Sequence, residues 1–341
     1  MTRRLTGLKP TGHLQLGNLL GAIRPLVGGQ RETGSELLTA APSPAVQGTG
    51  RGVTESVIMI VDLHALTIEH DPQRVRDLTV EHARLMLAAG VDPDVTTMYV
   101  QSHLSEHAQL HYLLECATGF GEARRMIQFK EKSTGPDPVR LSLLTYPVLM
   151  AADILLHDTE EVPVGDDQTQ HLELARDVAY RFNTRYGQTF TVPRAVTPAF
   201  AARIMDLAEP TAKMGKTNAV TAGVIGLLDR PDVVRRKVMR AVTDTRNIVR
   251  RDPDRQPGVT NLLEIYVACT GDRREFASYG ELKTAVADAV IAVLEPIQRR
   301  FAALTPGEVL SVLHDGAKQA RPRAQATLER ATEAIGLIKA A

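Results

Sequence analysis

The chain has 341 residues, 43% of them hydrophobic, enough to bury one large α/β core with a smaller helical unit beside it. Lys plus Arg equals Asp plus Glu at 40 each, which excludes polyanion binding driven by net charge and leaves only local basic faces for such contacts. Cys116 and Cys269 have no C-x-x-C or Cys/His metal spacing, MTRRLTGLKPTG has no signal-peptide core, and no apolar run approaches about 18 residues, so a soluble, cytoplasmic protein without a metal site is expected.

Leu5 to Leu8, the turn Lys9-Pro10-Thr11-Gly12 and the helically spaced apolar residues from Leu14 to Val27 predict strand, turn and helix. Gly28 to Gly52 is rich in Gly, Ser, Thr, Pro and Ala without sustained periodicity, and is expected to be a mobile surface loop. Ser56 to Val61 is a continuous apolar run ending at Asp62. It predicts a buried parallel strand whose C-terminal end faces a ligand crevice. A helix from Pro72 to Ala89, closed by Gly90, a strand from Thr97 to Gln101 and a helix from Glu106 to Thr118 follow. That alternation predicts an α/β fold with a doubly wound, mostly parallel sheet.

Leu141 to Leu156 is apolar on nearly every turn and predicts a helix against the sheet, interrupted at its start by Pro147. Glu161 to Gly165 reads as a short strand and turn, and Gln168 to Phe182 as an amphipathic helix. Beyond about Leu207 only helices are predicted: Ala222 to Leu228, Asp232 to Ala241, Leu262 to Thr270, Glu281 to Leu304 and Gly316 to Ala340. The expected division is a Rossmann-like catalytic domain over 1–207, a helical domain over 208–312, and a C-terminal helix over 313–341 that returns to the first domain.

Two segments carry chemistry. Gly12 to Asn18 lies where the first strand meets the first helix, where glycines let backbone N–H groups approach a phosphate; the same segment can equally be a plain turn. Lys213-Met214-Gly215-Lys216-Thr217, at the domain boundary, places two lysines three apart with small residues beside them. Such a loop can close on a triphosphate, or be a solvated basic turn.

Gln15-Leu16-Gly17-Asn18 resembles the HIGH signature and Lys213 to Thr217 the KMSKS signature of class I aminoacyl-tRNA synthetases. Three further blocks are more specific: Ile60 to Thr67 (IVDLHALT), Leu143 to Leu155 (LLTYPVLMAADIL) and Val162 to His171 (VPVGDDQTQH). Together, in this order, they resemble the bacterial tryptophanyl-tRNA synthetases over almost the whole chain except Gly28 to Gly52. The resemblance implies a Rossmann-like class I fold with an all-helical second domain. It also implies ATP-dependent activation of L-tryptophan, transfer to tRNA(Trp), ATP carrying its own Mg²⁺, and a homodimer.

By that resemblance Lys132, Lys213 and Lys216 neutralise the triphosphate. ATP is expected against Lys9, Pro10, Thr11, Gly17, Asn18, Gly165, Asp166, Asp167, Ile204, Met214, Gly215 and Thr217 as well. Tryptophan is expected against Leu5, His64, Tyr146, Met150, Asp153, Val162, Val164 and Gln168, with Tyr146 and Gln168 holding its α-amino group. The residues agree with an indole: Met150 and Asp153 share a helix face, so a thioether can lie on the ring while a carboxylate accepts its single N–H. Without the resemblance, Met150 reads as core and Asp153 as a locally bonded buried polar group. The cluster Arg235-Arg236-Lys237, Arg240, Arg246 and Arg250-Arg251 is either a solvated helix face or, by the family's use of its helical domain on the anticodon, a surface for tRNA phosphates.

Four positions depart from the family pattern: Lys9 for a common glutamine, Gln15 for the first histidine of HIGH, Gly215 for the first serine of KMSKS, and Leu63 for a frequent glutamine. Lys9 raises the expectation of an auxiliary copy that rejects a tryptophan-mimicking inhibitor such as indolmycin. Gln15 and Gly215 favour the competing reading, a degenerate paralogue that binds nucleotide or a partner without charging tRNA. A tyrosine-specific relative and a small-molecule nucleotidyltransferase compete as well, the latter disfavoured by the long helical tail.

Overall fold

The apolar runs read as strands pair into one sheet. The computed structural model describes residues 2–31, 53–133, 139–165, 168–196, 203–215 and 221–338. Among these, β1 (Thr2–Leu8), β2 (Val53–Ile60), β3 (Thr96–Val100), β4 (Glu161–Pro163) and β5 (Arg194–Val196) are all parallel, in the order β3-β2-β1-β4-β5. β1 starts both halves of this order, so the chain reverses its direction of winding between β1 and β4. In open parallel sheets the crevice at that switch point is where ligands bind, beyond the C-terminal strand ends.

The helices follow in chain order. α1 (Leu16–Asn18) continues through a π turn, Leu19–Ile23, into α2 (Arg24–Arg31). Then come α3 (Pro72–Ala88), α4 (Glu106–Glu115), α5 (Phe120–Arg125), α6 (Ile127–Lys132), α7 (Leu141–Leu156) and α8 (Thr169–Tyr186). The chain closes with α9 (Pro231–Met239), α10 (Pro257–Thr270), α11 (Tyr279–Ala303) and α12 (Pro306–Ala334). Strand side chains alternate between faces. Ile58 and Ile60 enter one buried layer with Leu8, Leu14 and Met86, which runs without a break into Val234, Leu262 and Val286 of α9, α10 and α11. Val57 and Met59 enter the other, with Leu5, Tyr99, Leu114, Ile154 and Phe182.

Several expectations change. α2 carries the helix through Gly28 and Gly29 to Arg31, so the expected loop starts later, and its remainder, 32–52, lies outside the described residues. Pro147 sits buried inside an unbroken α7, whose almost wholly apolar surface gains more from packing than one missing N–H costs. Residues 222–228 are not an α-helix: a 3-10 turn, Thr221–Gly223, leads to an antiparallel bridge between Gly226 and Gln15. Gly223 faces the Asp206 carboxylate so closely that a Cβ would fall 1.6 Å from Oδ1. α12 starts at Pro306 rather than Gly316, because Thr305 and Glu308 form a capping box that the sequence displays as T-P-G-E.

α12 is seated on β3 and α4. At Gly316 an added Cβ would lie 2.0 Å from the Met98 carbonyl oxygen, so helix and strand meet backbone to backbone. Ion pairs tie it down: Arg323 and Arg3 both bind Glu55, Arg321 binds Glu106, and Arg330 binds Asp158. Burial raises the Glu55 pKa, but the two guanidinium groups outweigh it and hold the carboxyl below its ordinary value.

Candidate active site

The crevice is built from strand ends and the turns after them. β1 ends at Leu8, and Lys9 turns out of the sheet, its carbonyl accepting from Thr11 N at 3.0 Å. The Lys9 ammonium donates to Thr67 Oγ1 at 3.1 Å, and Thr67 donates to the His64 carbonyl at 2.8 Å. Lys9 is thus tethered beside the turn that follows β2. Asp62 starts that turn, accepting from Leu63 N and Ser102 N at 3.0 Å each, which aligns the C-terminal ends of β2 and β3.

Gln15 does two things in the first motif. Its Oε1 accepts from Gly17 N at 2.8 Å, and Asn18 Oδ1 accepts from Gln15 N at 3.1 Å, a reciprocal cap that starts the first helix. A Cβ on Gly17 would lie 2.9 Å from Gln15 Oε1, so the tight cap favours glycine. Its Nε2 donates to the Met214 carbonyl at 2.5 Å. Met214 N in turn donates to the Ile204 carbonyl at 3.0 Å, and Lys213 bridges Met205. Beyond the basic loop, Leu16 N bonds Ile225 O at 2.8 Å and Leu227 N bonds Leu14 O at 3.0 Å. Met214, and Ile225 to Leu227 further on, are therefore each anchored on the first motif. The Ile204 and Met214 side chains are buried, so what they offer a ligand is backbone.

α7 presents Tyr146, Met150 and Asp153 toward the same crevice. Asp153 is fully buried and receives His64 Nε2 on Oδ2 at 2.8 Å and Gln101 Nε2 on Oδ1 at 2.6 Å. Burial alone would raise its pKa, but the close ring nitrogens of His107 and His64 outweigh that and hold the carboxyl well below the usual carboxylate range. A buried, ionised carboxylate lies one helical turn from the half-buried Met150. Leu5, Val162 and Val164 belong to the apolar layer on which Met150 packs. His64 meets Tyr146 edge-on, ring centroids 6.2 Å apart. The Tyr146 hydroxyl donates to Gln128 Oε1 at 2.9 Å and lies 2.8 Å from His171 Nε2; burial, then Glu131, pushes its pKa up to about 12. Gln168 is half-buried at the start of α8, one turn past Gly165.

The chain has close counterparts among known proteins. A model of the class I tRNA synthetases for W and Y matches residues 1–295. The chain belongs to that family. A Streptomyces avermitilis relative, tryptophan-tRNA ligase 1, is 52% identical and aligns with 100% of each chain. The tryptophanyl-tRNA synthetase of Mycoplasma pneumoniae superposes with a TM-score of 0.87 at 34% identity, covering 99% of this chain and 98% of that one. That of Campylobacter jejuni, solved with ADP and tryptophan, gives 0.80 at 28% identity, covering 98% and 100%.

In this synthetase Lys9, Pro10 and Thr11 follow the end of β1, His64 the end of β2, and Val164, Gly165 and Gln168 the end of β4, while Tyr146, Met150 and Asp153 lie on α7, with Tyr146 and Asp153 against His64. Gly17 and Asn18 open the first helix, and Met214, between Lys213 and Gly215, bonds Ile204 and Gln15. Leu5 and Val162 lie within β1 and β4, in the buried layer on which Met150 packs. Asp166, Asp167, Lys216 and Thr217, and the side chain of Lys132, lie outside the described residues. The basic cluster is more divided than its sequence. Lys237 is half-buried and gives its ammonium to the Val224 carbonyl and Asp229, both at 2.7 Å, so it holds the fold. Arg235, Arg250 and Arg251 pair with Asp288, Asp252 and Glu264, whereas Arg236, Arg240 and Arg246 are exposed.

Sequence reasoning missed the partners of Asp153. Gln101 and His107 come from the end of β3 and from α4, and Gln101 stands 52 residues before Asp153. In the sequence they are an unremarked strand end and a helix position, with no spacing to connect them to α7.

Proposed function

We propose that this synthetase is a tryptophan-tRNA ligase, which activates L-tryptophan with ATP and transfers it to tRNA(Trp). The carrying observation is the buried, ionised Asp153 one turn from Met150, at the switch point of the sheet. Indole offers one N–H and a flat polarisable ring, the two features this pair complements. Tyrosine would ask the same place to satisfy a phenol hydroxyl. Relatives named tryptophan-tRNA ligase, at 52% and 44% identity over nearly the whole chain, support the same substrate.

ATP lies along the first motif, with the Lys9 to Thr11 turn, Gly17 and Asn18 beneath its phosphates, and Gly165 to Asp167 at the ribose. The backbone of Ile204 and Met214 faces the adenine side, and Lys213 to Thr217 closes over the triphosphate. The tryptophan carboxylate attacks the α-phosphorus in line and pyrophosphate leaves; no covalent enzyme intermediate forms. Lys132, Lys213 and Lys216 neutralise charge on the leaving group, with Mg²⁺ entering on the nucleotide, so the protein works by positioning and charge compensation. Tyr146 and Gln168 hold the α-amino group.

For tRNA, residues 208–312 act as the anticodon-reading part, with exposed Arg236, Arg240 and Arg246 as phosphate contacts, and 313–341 return to the catalytic part. Exposed Tyr112, Phe120 and Tyr180 support a homodimer face on the side of α4, α5 and α8. No helix among the described residues is long and apolar enough to cross a membrane, and the two free thiols suit a cytoplasmic setting.

The test uses a property of the composition: the chain has no Trp, so bound substrate is the only indole in view. Tryptophan titration should change ligand fluorescence, and ATP–pyrophosphate exchange should proceed with L-tryptophan far faster than with L-tyrosine. Exchange that prefers tyrosine, or none with either amino acid, would overturn the assignment.

A further inference from the structure

A line of buried polar side chains leads away from Asp153, and the reaction above uses none of it. His107 of α4 sets Nδ1 2.7 Å from Asp153 Oδ1, at an angle short of an aligned hydrogen bond. Its other nitrogen, Nε2, lies 2.8 Å from the hydroxyl of Tyr99 on β3. That hydroxyl lies 2.6 Å from Nε2 of His157, just after α7, and 2.8 Å from Met59 Sδ on β2. Tyr99 and His107 are wholly buried, and His157 nearly so.

One arrangement of protons satisfies every member of this line. A bare Nδ1 lone pair 2.7 Å from a carboxylate oxygen would be repelled, so His107 Nδ1 carries hydrogen. Tyr99 keeps its proton, because burial first, and the charges of Asp153 and Glu106 next, push its pKa well above the ordinary phenol value. His157 is neutral, because burial pushes its pKa well down. With its single N–H on Nε2, His157 can then donate to Tyr99 and Tyr99 to His107 Nε2, while His107 Nδ1 faces Asp153 Oδ1 at 2.7 Å.

The acceptor positions of Asp153 can also be counted. A carboxylate has about four lone-pair sites. His107 and Gln101 approach Oδ1, and His64 approaches Oδ2. Among the described residues that leaves one site without a donor, on Oδ2.

We propose that Tyr99 and His107 are positioning residues for substrate recognition, fixing Asp153 so that its one open acceptor site selects a ligand with a single ring N–H. The proposal rests on the reading of Asp153 as the acceptor of the indole N–H. His107 holds Oδ1, Tyr99 fixes the tautomer of His107, and His157 completes the supply of protons. Without Tyr99, His107 is free to turn, which diverts Asp153 from the ligand.

The test compares L-tryptophan with β-(3-benzothienyl)alanine, in which sulfur replaces the ring N–H, as substrates in pyrophosphate exchange. Wild-type kcat/KM should favour tryptophan by at least ~100-fold, because a site built to receive a donor rejects its isostere. In Tyr99→Phe that ratio should fall about tenfold, through loss of tryptophan turnover alone, with the analogue within about twofold of wild type. His107→Leu should act likewise. His107→Asn, which keeps an N–H where Nδ1 stood, should restore the ratio to within about threefold of wild type. A purely structural role would slow both substrates equally in Tyr99→Phe and His107→Leu, and that result overturns the proposal. Asp153→Ala separates the two layers. If it leaves the ratio at the wild-type value, the underlying reading of Asp153 fails. If it abolishes the preference while Tyr99→Phe and His107→Leu retain it, only the positioning role fails.

Discussion

Replacing Gln15 by leucine isolates the link between the first motif and the basic loop. The side chain is 4% exposed, and Leu fills its volume without its polar atoms. Two bonds are lost: the cap from Gly17 N at 2.8 Å and the donation to Met214 O at 2.5 Å. Losing the cap costs about 1 kcal/mol. Leaving the Met214 carbonyl without this donor costs about 1–3 kcal/mol, for a total destabilisation of about 2–4 kcal/mol. Only the second part bears on the loop that carries Lys213, and about 1–3 kcal/mol corresponds to roughly a 5–150-fold change in its population. The KM for ATP should therefore rise by roughly tenfold while that for tryptophan stays within about threefold. Pyrophosphate exchange with each substrate varied at saturation of the other measures both, and thermal melting measures the loss of stability. A lowered melting point with an unchanged ATP KM would refute the coupling, as would an equal rise in both constants.

Three further outcomes follow from particular contacts. Burial lowers the folded-state pKa of His157, and also that of His103, below 6.5, so below that pH the unfolded chain binds protons that the folded chain does not. Stability is then complete above about pH 6.5 and lost as the pH falls, by up to about 1.4 kcal/mol per pH unit for one fully buried histidine. Melting points recorded from about pH 7.5 to about 5.5 should fall, and less steeply in His157→Gln; a flat wild-type profile would contradict the assignment. Gly316→Ala drives a methyl into the Met98 carbonyl and should lower stability by about 1–3 kcal/mol in a denaturant titration, whereas a neutral result would mean that α12 is not seated so closely. Lys9→Gln removes the ammonium held on Thr67, and indolmycin should then inhibit exchange at least ~10-fold more strongly; equal inhibition of wild type and variant removes Lys9 as the cause of any resistance.

Much of the fold could be read from the chain because its signals are local. The continuous apolar run at Ser56 to Val61, the helix from Pro72 closed by Gly90, and the apolar face of Leu141 to Leu156 each specify an element through neighbours a few residues away. The same holds for Met150 and Asp153, whose shared face follows from helical spacing alone. Where residues 222–228 departed from expectation, the deciding contact was distant: Gly223 passes so close to Asp206 that a side chain would clash, and the segment bridges Gln15. The early start of α12 was local, set by the capping box of Thr305 and Glu308.

The sequence by itself determined the alternation that makes a parallel sheet, the order of the motifs along it, and the pairing of thioether with carboxylate on α7. Only the tertiary structure decided what surrounds that carboxylate. Asp153 receives donors from the turn after β2 and from the end of β3, His107 of α4 stands 2.7 Å away, and Tyr99 and His157 lie beyond it. No periodicity relates these segments. They meet because a parallel sheet brings the C-terminal ends of its strands to one edge, and a buried charge is stable there only when every segment around it supplies a partner.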